Sequence, residues 1–265
     1  MKIKVLQYNI LNGLCSEEKP YALDVNRKDA FLETVISEDP DILTICEASC
    51  RSFVRKSENY ESSIEEMLQA DNNGNKFRGT PAVITRFDVE HKNMSENFRK
   101  FIRAEVCIEN RKIHLDVVHP RPELDERCRN EFFSKAIKSG NKPYILSGDF
   151  NSLSPQDSYN LEKLTRGYQR FMGEEAGKKK VEDIIKMDAM RPLFSECLID
   201  TYKKIRMNGD FTVPTDWRNK NKDSAVRLDY IFCSNDFKII DAGIIKNKLT
   251  ENASDHYPTY AVLEI

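Results

Sequence analysis

The chain carries acidic, amide and imidazole side chains at the ends of apolar runs, and together these residue types suit metal-assisted phosphoryl chemistry. Asn9 follows the run Ile3 to Tyr8, and Glu47 follows Ile42-Leu43-Thr44-Ile45-Cys46. His119 follows Ile113 to Val118, while Asp149 and Asn151 follow Tyr144-Ile145-Leu146-Ser147-Gly148. Asp229 lies within Arg227-Leu228-Asp229-Tyr230-Ile231-Phe232, and Asp255-His256 precedes the last apolar run. Functional side chains of α/β proteins concentrate on loops just past strand ends. Any single Asn or Asp in such a place is more often a turn cap. A carboxylate directly after a buried strand is harder to explain that way, because charge near a core needs a partner or a metal. Glu47 and Asp149 stand out on that ground. Carboxylate and carbonyl oxygens with few soft ligands suit Mg²⁺, with Mn²⁺ as a substitute. Two histidines beside such a cation suit phosphoryl transfer, where the protein's task is positioning and charge stabilisation. His119 is in phase with Ile113, Leu115 and Val117 and shares their face. His114 faces the other way and reads as structural, and His91 reads as a surface loop residue.

Alternating strand and helix patterns must position these groups. Ile3 to Tyr8 and Asp41 to Cys46 are apolar on both faces, as in strands covered on two sides. Phe31, Leu32, Val35 and Ile36 recur at helical spacing, and Pro40 closes that segment. Ser57 to Ala70 and the stretch holding Leu124, Cys128, Phe132, Phe133, Ala136 and Ile137 are the next predicted helices. Further strands are predicted at 82–85, 101–108, 113–118, 144–147, 228–233, 237–245 and 257–265. Segment 156–199 reads as mostly helical, with Leu161, Leu164, Tyr168 and Phe171 on one face and Lys178-Lys179-Lys180 as a solvated turn. No Pro/Gly/Ser linker or repeat divides the chain, so residues 1–265 are expected to form one layered α/β domain.

Composition narrows the partners. Of the 265 residues 40% are hydrophobic, and 41 Lys+Arg against 43 Asp+Glu give a net charge of −2. Such a chain buries a core and does not coat nucleic acid by charge alone, although a local basic groove is compatible with it. No apolar run approaches the roughly 18 residues of a membrane span. Seven cysteines without a Cys-x-x-Cys pair, beside only four histidines, read as reduced thiols in a cytoplasmic protein rather than a disulfide framework or zinc site. From Lys203 to Arg227 basic residues outnumber acidic ones around the single tryptophan, Trp217. Two readings of this stretch stand side by side: a loop that grips phosphate and stacks a base through Trp217 and Arg218, or an exposed loop anchored by one half-buried ring.

The blocks Gln7-Tyr8-Asn9-Ile10-Leu11-Asn12-Gly13, Leu43-Thr44-Ile45-Cys46-Glu47, Gly148-Asp149-Phe150-Asn151, Arg227-Leu228-Asp229-Tyr230-Ile231 and Ser254-Asp255-His256-Tyr257-Pro258 occur in this order. They resemble the endonuclease/exonuclease/phosphatase superfamily, the DNase I-like fold, over nearly the whole chain. The resemblance implies a four-layered α/β sandwich, two mixed β-sheets packed face to face with helices outside and a divalent metal at one edge. It implies Glu47 as the principal metal ligand, supported by Asn9 and Asp255. Asp149 would orient or deprotonate the attacking water, Asn151 would hold the phosphate or that water, and His256, oriented by Asp229, would contact phosphoryl oxygens. His119 matches the second phosphate-contacting position. Thr80 stands where the pancreatic-type deoxyribonucleases carry the glutamate that pairs with this histidine, so His119 is expected to be a hydrogen-bonder rather than a general acid. Arg121 is a candidate for phosphate charge or for a rim salt bridge.

The resulting expectation is a Mg²⁺-dependent phosphoesterase acting on a nucleic-acid or nucleotide phosphodiester. The alternatives are a phosphatase or phospholipase-type esterase on inositol or lipid headgroups, and a catalytically weak binding module. Retention of the complete residue set argues against the last. Gly173-Glu174-Glu175-Ala176-Gly177-Lys178 is one residue short of a P-loop and lacks its Ser/Thr.

Overall fold

The computed structural model of the chain describes residues 1–16, 22–48, 53–69, 80–96, 99–137, 143–215 and 222–265. In chain order its strands begin with β1 (Lys2–Asn9), β2 (Ile42–Ala48), β3 (Phe53–Lys56), β4 (Thr80–Thr85), β5 (Asp88–Glu96) and β6 (Arg99–Ile108). They continue with β7 (Arg111–Val118), β8 (Tyr144–Asp149), β9 (Ile199–Asp200), β10 (Asp229–Cys233), β11 (Lys238–Ile244) and β12 (Thr259–Glu264). The helices are α1 (Val25–Glu38), α2 (Tyr60–Gln69), α3 (Glu126–Ala136) and α4 (Leu161–Met172), then α5 (Glu174–Ile184), α6 (Arg191–Ser195), α7 (Thr201–Ile205) and α8 (Lys248–Ala253).

Among the described residues the strands form two six-stranded mixed sheets, β11-β12-β1-β2-β4-β3 and β5-β6-β7-β8-β10-β9. In the first, β1 runs parallel to β2 and antiparallel to β12; in the second, β8 runs parallel to β7 and antiparallel to β10. The predicted two-sided strands are covered on two sides. Ile3, Val5, Ile42 and Val83 of the first sheet meet Ile102, Leu115, Val117, Ile145 and Ile231 of the second in the central core. On the outer face of the first sheet, Tyr8, Leu43, Ile45 and Ile84 pack against Phe31 and Val35 of α1 and Ile64 and Met67 of α2. On the outer face of the second, Val118, Tyr144, Leu146 and Phe232 pack against Phe132 and Phe133 of α3 and Leu193 of α6. The fold is a four-layered α/β sandwich.

Local chemistry sets the helix boundaries. Asp24 caps α1 by accepting from the Asn26 and Arg27 amides, and the helix ends at Asp39 in the left-handed region, before Pro40. Asp125 caps α3 through the Cys128 amide, and Asn247 and Thr250 form a reciprocal capping box on α8.

Several sequence expectations are corrected. Lys178-Lys179-Lys180 lies inside α5, not in a turn, because Gly173 already provides the break between α4 and α5. On α4 only Leu164 of the expected stripe is fully buried; Leu161 and Phe171 are exposed. His91 is on the surface but belongs to β5, which reads polar because it is an edge strand. Among the described residues, no helix is long and apolar enough to cross a membrane.

Candidate active site

The parallel order of β1 with β2 and of β7 with β8 brings Asn9, Glu47, His119 and Asp149 to one end of the sandwich. At the end of β2 the register with β4 shifts between Ile45 and Ala48, and Glu47 adopts φ 60°. This β-bulge turns the Glu47 side chain out of the ladder. Its Oε2 accepts the Asn12 amide at 2.9 Å, and its Oε1 accepts Asn9 Nδ2 at 3.3 Å. Asn9 ties the two sheets together, since the same Nδ2 donates to Asp149 Oδ2 at 2.9 Å. Beyond it the chain bends through a left-handed turn from Leu11 to Leu14. Buried Arg27 holds that turn, donating to the carbonyls of Ile10 at 2.8 Å, Leu11 at 3.1 Å, Cys15 at 2.6 Å and Ala253 at 2.9 Å.

Asp149 is buried at the end of β8. The preceding Gly148 has φ 149°, and a Cβ there would lie 1.9 Å from the Val118 carbonyl oxygen, so no other residue fits without displacement. Asp149 Oδ1 accepts the amide of Asn151 at 2.9 Å, and Asn151 Nδ2 donates to the Pro120 carbonyl at 2.9 Å. His119 Nε2 stands 3.5 Å from Asp149 Oδ2 and 3.8 Å from Glu47 Oε1. Beneath the carboxylate, the Cys46 sulfur accepts the Asp149 amide at 3.3 Å and Gln7 Nε2 at 3.4 Å. Thr44 Oγ1 continues this buried seam, 2.8 Å from both Gln7 Oε1 and Ser147 Oγ. Burial, and then the nearby Asp229 carboxylate, push the Asp149 pKa upward.

Asp229 pairs with Asp149 across the β8–β10 ladder, so its side chain enters the site from the antiparallel strand. Thr212 Oγ1 accepts the amides of Leu228 at 3.0 Å and Asp229 at 3.2 Å. Asp229 Oδ2 is 2.7 Å from His256 Nδ1, and Asp229 Oδ1 is buried without a hydrogen-bond partner. Ser254 Oγ donates to the Asn9 carbonyl at 2.7 Å and accepts the His256 amide at 3.3 Å, which seats the Asp255-His256 turn against β1. For His256, burial is the largest single influence and acts to lower the pKa. The carboxylates of Asp229, Asp255 and Asp149 together outweigh it and hold the imidazole well above its ordinary value.

The structure thus gathers Asn9, Glu47, His119, Asp149, Asn151, Asp229 and His256 into one connected constellation, with half-buried Asp255 beside His256. Arg121 is exposed two residues past His119 and makes no ion pair among the described residues. Trp217 and Arg218 lie outside the described residues. The basic stretch around them is corrected in part. Lys203 pairs with Asp157 at 3.2 Å, Arg206 with Asp241 at 3.0 Å, and Arg227 is buried against Asp157 and Asp200. These cations hold the fold together and do not form a free loop. Sequence reasoning missed Arg27, Thr212 and Cys46, whose work is to hold backbone groups, a role with no residue-type signature. Ser254 was visible only as the neighbour of Asp255.

The donor set fits a hard divalent cation. Glu47, Asp149, Asp229 and Asp255 bring more negative charge to the site than His119 and His256 can balance. Asp149, Asp229 and His256 each place a ligand atom within 4.8 Å of the others. Because Asp229 Oδ2 is already engaged by His256 Nδ1, this trio is better suited to proton handling, and the partly exposed Glu47 with Asn9 to the cation.

The chain belongs to the endonuclease/exonuclease/phosphatase family, whose model matches residues 6–256. Members of this family are phosphoester hydrolases that generally depend on a divalent metal. No curated protein matches the chain by sequence. Among solved structures, a Neisseria 3′ phosphatase bound to a product DNA hairpin superposes with a TM-score of 0.61 at 17% identity, over 99% of this chain and 100% of that one. The D. rerio TDP2 complex with a single-strand DNA product gives 0.59 at 14% identity, over 100% and 99%. A mannosyl-6-phosphatase from Bacteroides thetaiotaomicron gives 0.59 at 16% identity, over 99% and 100%. At these identities the likeness is one of fold.

Proposed function

We propose that this chain, acting as one domain, is a Mg²⁺-dependent phosphodiesterase that hydrolyses a nucleic-acid or nucleotide phosphodiester by in-line attack of water. The observation that carries the reading is the hydrogen-bonded junction of Asn9, Asp149 and Asn151 beside the Asp229–His256 pair. Asp149 accepts the proton of the attacking water, and its upward-shifted pKa strengthens it as a base. Asn151 orients that water or the phosphate. Asp229 fixes the His256 tautomer through Nδ1, so that Nε2 faces the phosphoryl group and a protonated ring stabilises developing charge. His119 adds a hydrogen bond to a phosphoryl oxygen. Glu47, Asn9 and Asp255 would hold the metal, which when bound supplies Lewis-acid stabilisation of the phosphoryl oxygens. Two structural relatives with DNA products support the choice of a nucleic-acid or nucleotide ester.

The test is hydrolysis of single- and double-stranded DNA, abasic-site DNA, RNA, a dinucleotide and an inositol phosphate under Mg²⁺, Mn²⁺ and EDTA. Asp149→Asn serves as the blank. Metal-dependent cleavage of a nucleic acid or the dinucleotide, absent in the variant, is the expected result. Turnover of the inositol phosphate alone would overturn the substrate class.

A further inference from the structure

Beside Asn151 an open groove of about 890 Å³ runs between the α4–α5 hairpin and the segment Pro122–Asp125. It touches the candidate active site at Asn151 and at Leu228, the neighbour of Asp229. Its floor is apolar, made by Leu124, Leu153 and Ile184, and one wall carries Tyr168, Phe171 and Met172. Phe171 is 73% exposed, so its ring contributes little to the core, and it stands on a wall built to hold its shape. At Gly177 of α5 a Cβ would come within 2.5 Å of the Gln169 amide of α4, so the two helices meet backbone to backbone. From α5, Lys180 Nζ donates to the Pro122 carbonyl at 2.8 Å and fixes the opposite wall.

We infer that this groove is a subsite for one nucleoside of the substrate, with its base stacked on Phe171 and its phosphate at Asn151. The inference rests on the phosphodiesterase reading and narrows it. A phosphate group alone needs a few polar atoms, whereas a volume in the range of small-molecule pockets calls for an organic moiety joined to it. The charges lining the groove decide its kind. Lys179, Lys180 and Lys186 face Glu123, Asp125, Glu182 and Asp183, an excess of carboxylates. A channel that tracked a run of backbone phosphates would carry the opposite balance. An aromatic wall over an apolar floor, rimmed by donors and acceptors of both signs, accommodates a single planar heterocycle with polar edges. The preferred substrate is therefore a nucleotide ester or a strand end, with one residue lodged in the groove.

The test compares the binding of thymidine 5′-monophosphate and inorganic phosphate by calorimetry in Mg²⁺ buffer. The wild-type protein is set beside Phe171→Ala, which alters an exposed ring, and Ala176→Trp, which fills the groove from an exposed position. The nucleotide should bind at least tenfold more tightly than phosphate. Each variant should weaken nucleotide binding by about tenfold, the scale of one base–aromatic stack, without changing phosphate binding. In turnover both variants should raise KM for a dinucleotide and spare kcat. Nucleotide binding no tighter than phosphate, or unchanged in both variants, while Asp149→Asn still abolishes hydrolysis, would overturn the groove assignment alone. Absence of metal-dependent dinucleotide hydrolysis by the wild-type protein would remove the phosphodiesterase reading, and the groove assignment with it.

Discussion

Arg227 offers the most demanding test of how the site is supported. It is 1% exposed, its Nη1 and Nη2 donate to the Asp200 oxygens at 3.0 and 2.7 Å, and its Nε donates to Asp157 Oδ2 at 2.9 Å. The guanidinium lies 4.4 Å from the Tyr230 ring centroid and 5.0 Å from that of Tyr202. Arg227→Met keeps most of the packing volume and leaves two carboxylates buried without their cation. Removing one partner of such a pair costs about 3–5 kcal/mol. Asp157 retains Lys203 at 3.2 Å and Asp200 retains the Lys203 amide at 3.3 Å, which places the loss near the lower end, about 3 kcal/mol. At about 2–4 °C per kcal/mol for a chain approaching this size, Tm should fall by about 6–12 °C. Urea and thermal unfolding of the wild type, Arg227→Met, Asp200→Asn and the double variant form the assay. Asn still caps α7, so adding Asp200→Asn to Arg227→Met removes one stranded charge and should recover part of the loss. A loss below about 1 kcal/mol in Arg227→Met, or strictly additive losses in the double variant, would refute the reasoning.

Glu47→Gln should raise the Mg²⁺ concentration needed for half-maximal activity, measured by metal titration; an unchanged requirement removes Glu47 as the main ligand. His256→Ala should lower turnover by about 10² or more with native circular dichroism, and near-native turnover would take it out of the mechanism. Gly148→Ala should cost more than about 1 kcal/mol in urea unfolding, because the new Cβ meets the Val118 carbonyl and φ is unfavourable. Thr212→Val, which removes the acceptor of the Leu228 and Asp229 amides, should lower kcat more than it raises KM; a pure KM effect would locate Thr212 in substrate binding instead.

What the sequence made legible followed burial. Strands covered on two faces, such as β1 and β2, announce themselves as unbroken apolar runs, and strand ends then mark where polar residues become informative. The edge strands β5 and β3 lack that signal: β5 reads Asp-Val-Glu-His-Lys-Asn-Met-Ser-Glu, and β3 is four residues long. The Lys178-Lys179-Lys180 run reads as a turn by its charge although lysine is a good helix former; α5 presents Lys178 and Lys179 outward and turns half-buried Lys180 to the Pro122 carbonyl. The residues gathered at the candidate site were legible because metal and phosphoryl chemistry would demand such side chains. Their supports were not. Arg27 works by reaching four carbonyls and Thr212 by receiving two amides, and only folding brings those backbone groups together. In the Lys203 to Arg227 stretch, net charge along the segment does not tell which cations are engaged: Lys203, Arg206 and Arg227 are paired, while Trp217 and Arg218 lie outside the described residues.

The first sheet is completed by β12, which inserts between β11 and β1. Ser254 reaches the Asn9 carbonyl across 245 positions of sequence, and His256 arrives with the same turn. The candidate site therefore closes only when the 254–256 turn has docked on β1. The β1–β12 pairing joins residues 2–7 to residues 259–264, a sequence separation of the kind that slows folding. A chain cut between Asp229 and Ser254 would leave Asp229 without the imidazole it holds, so the candidate site joins segments that lie far apart in sequence.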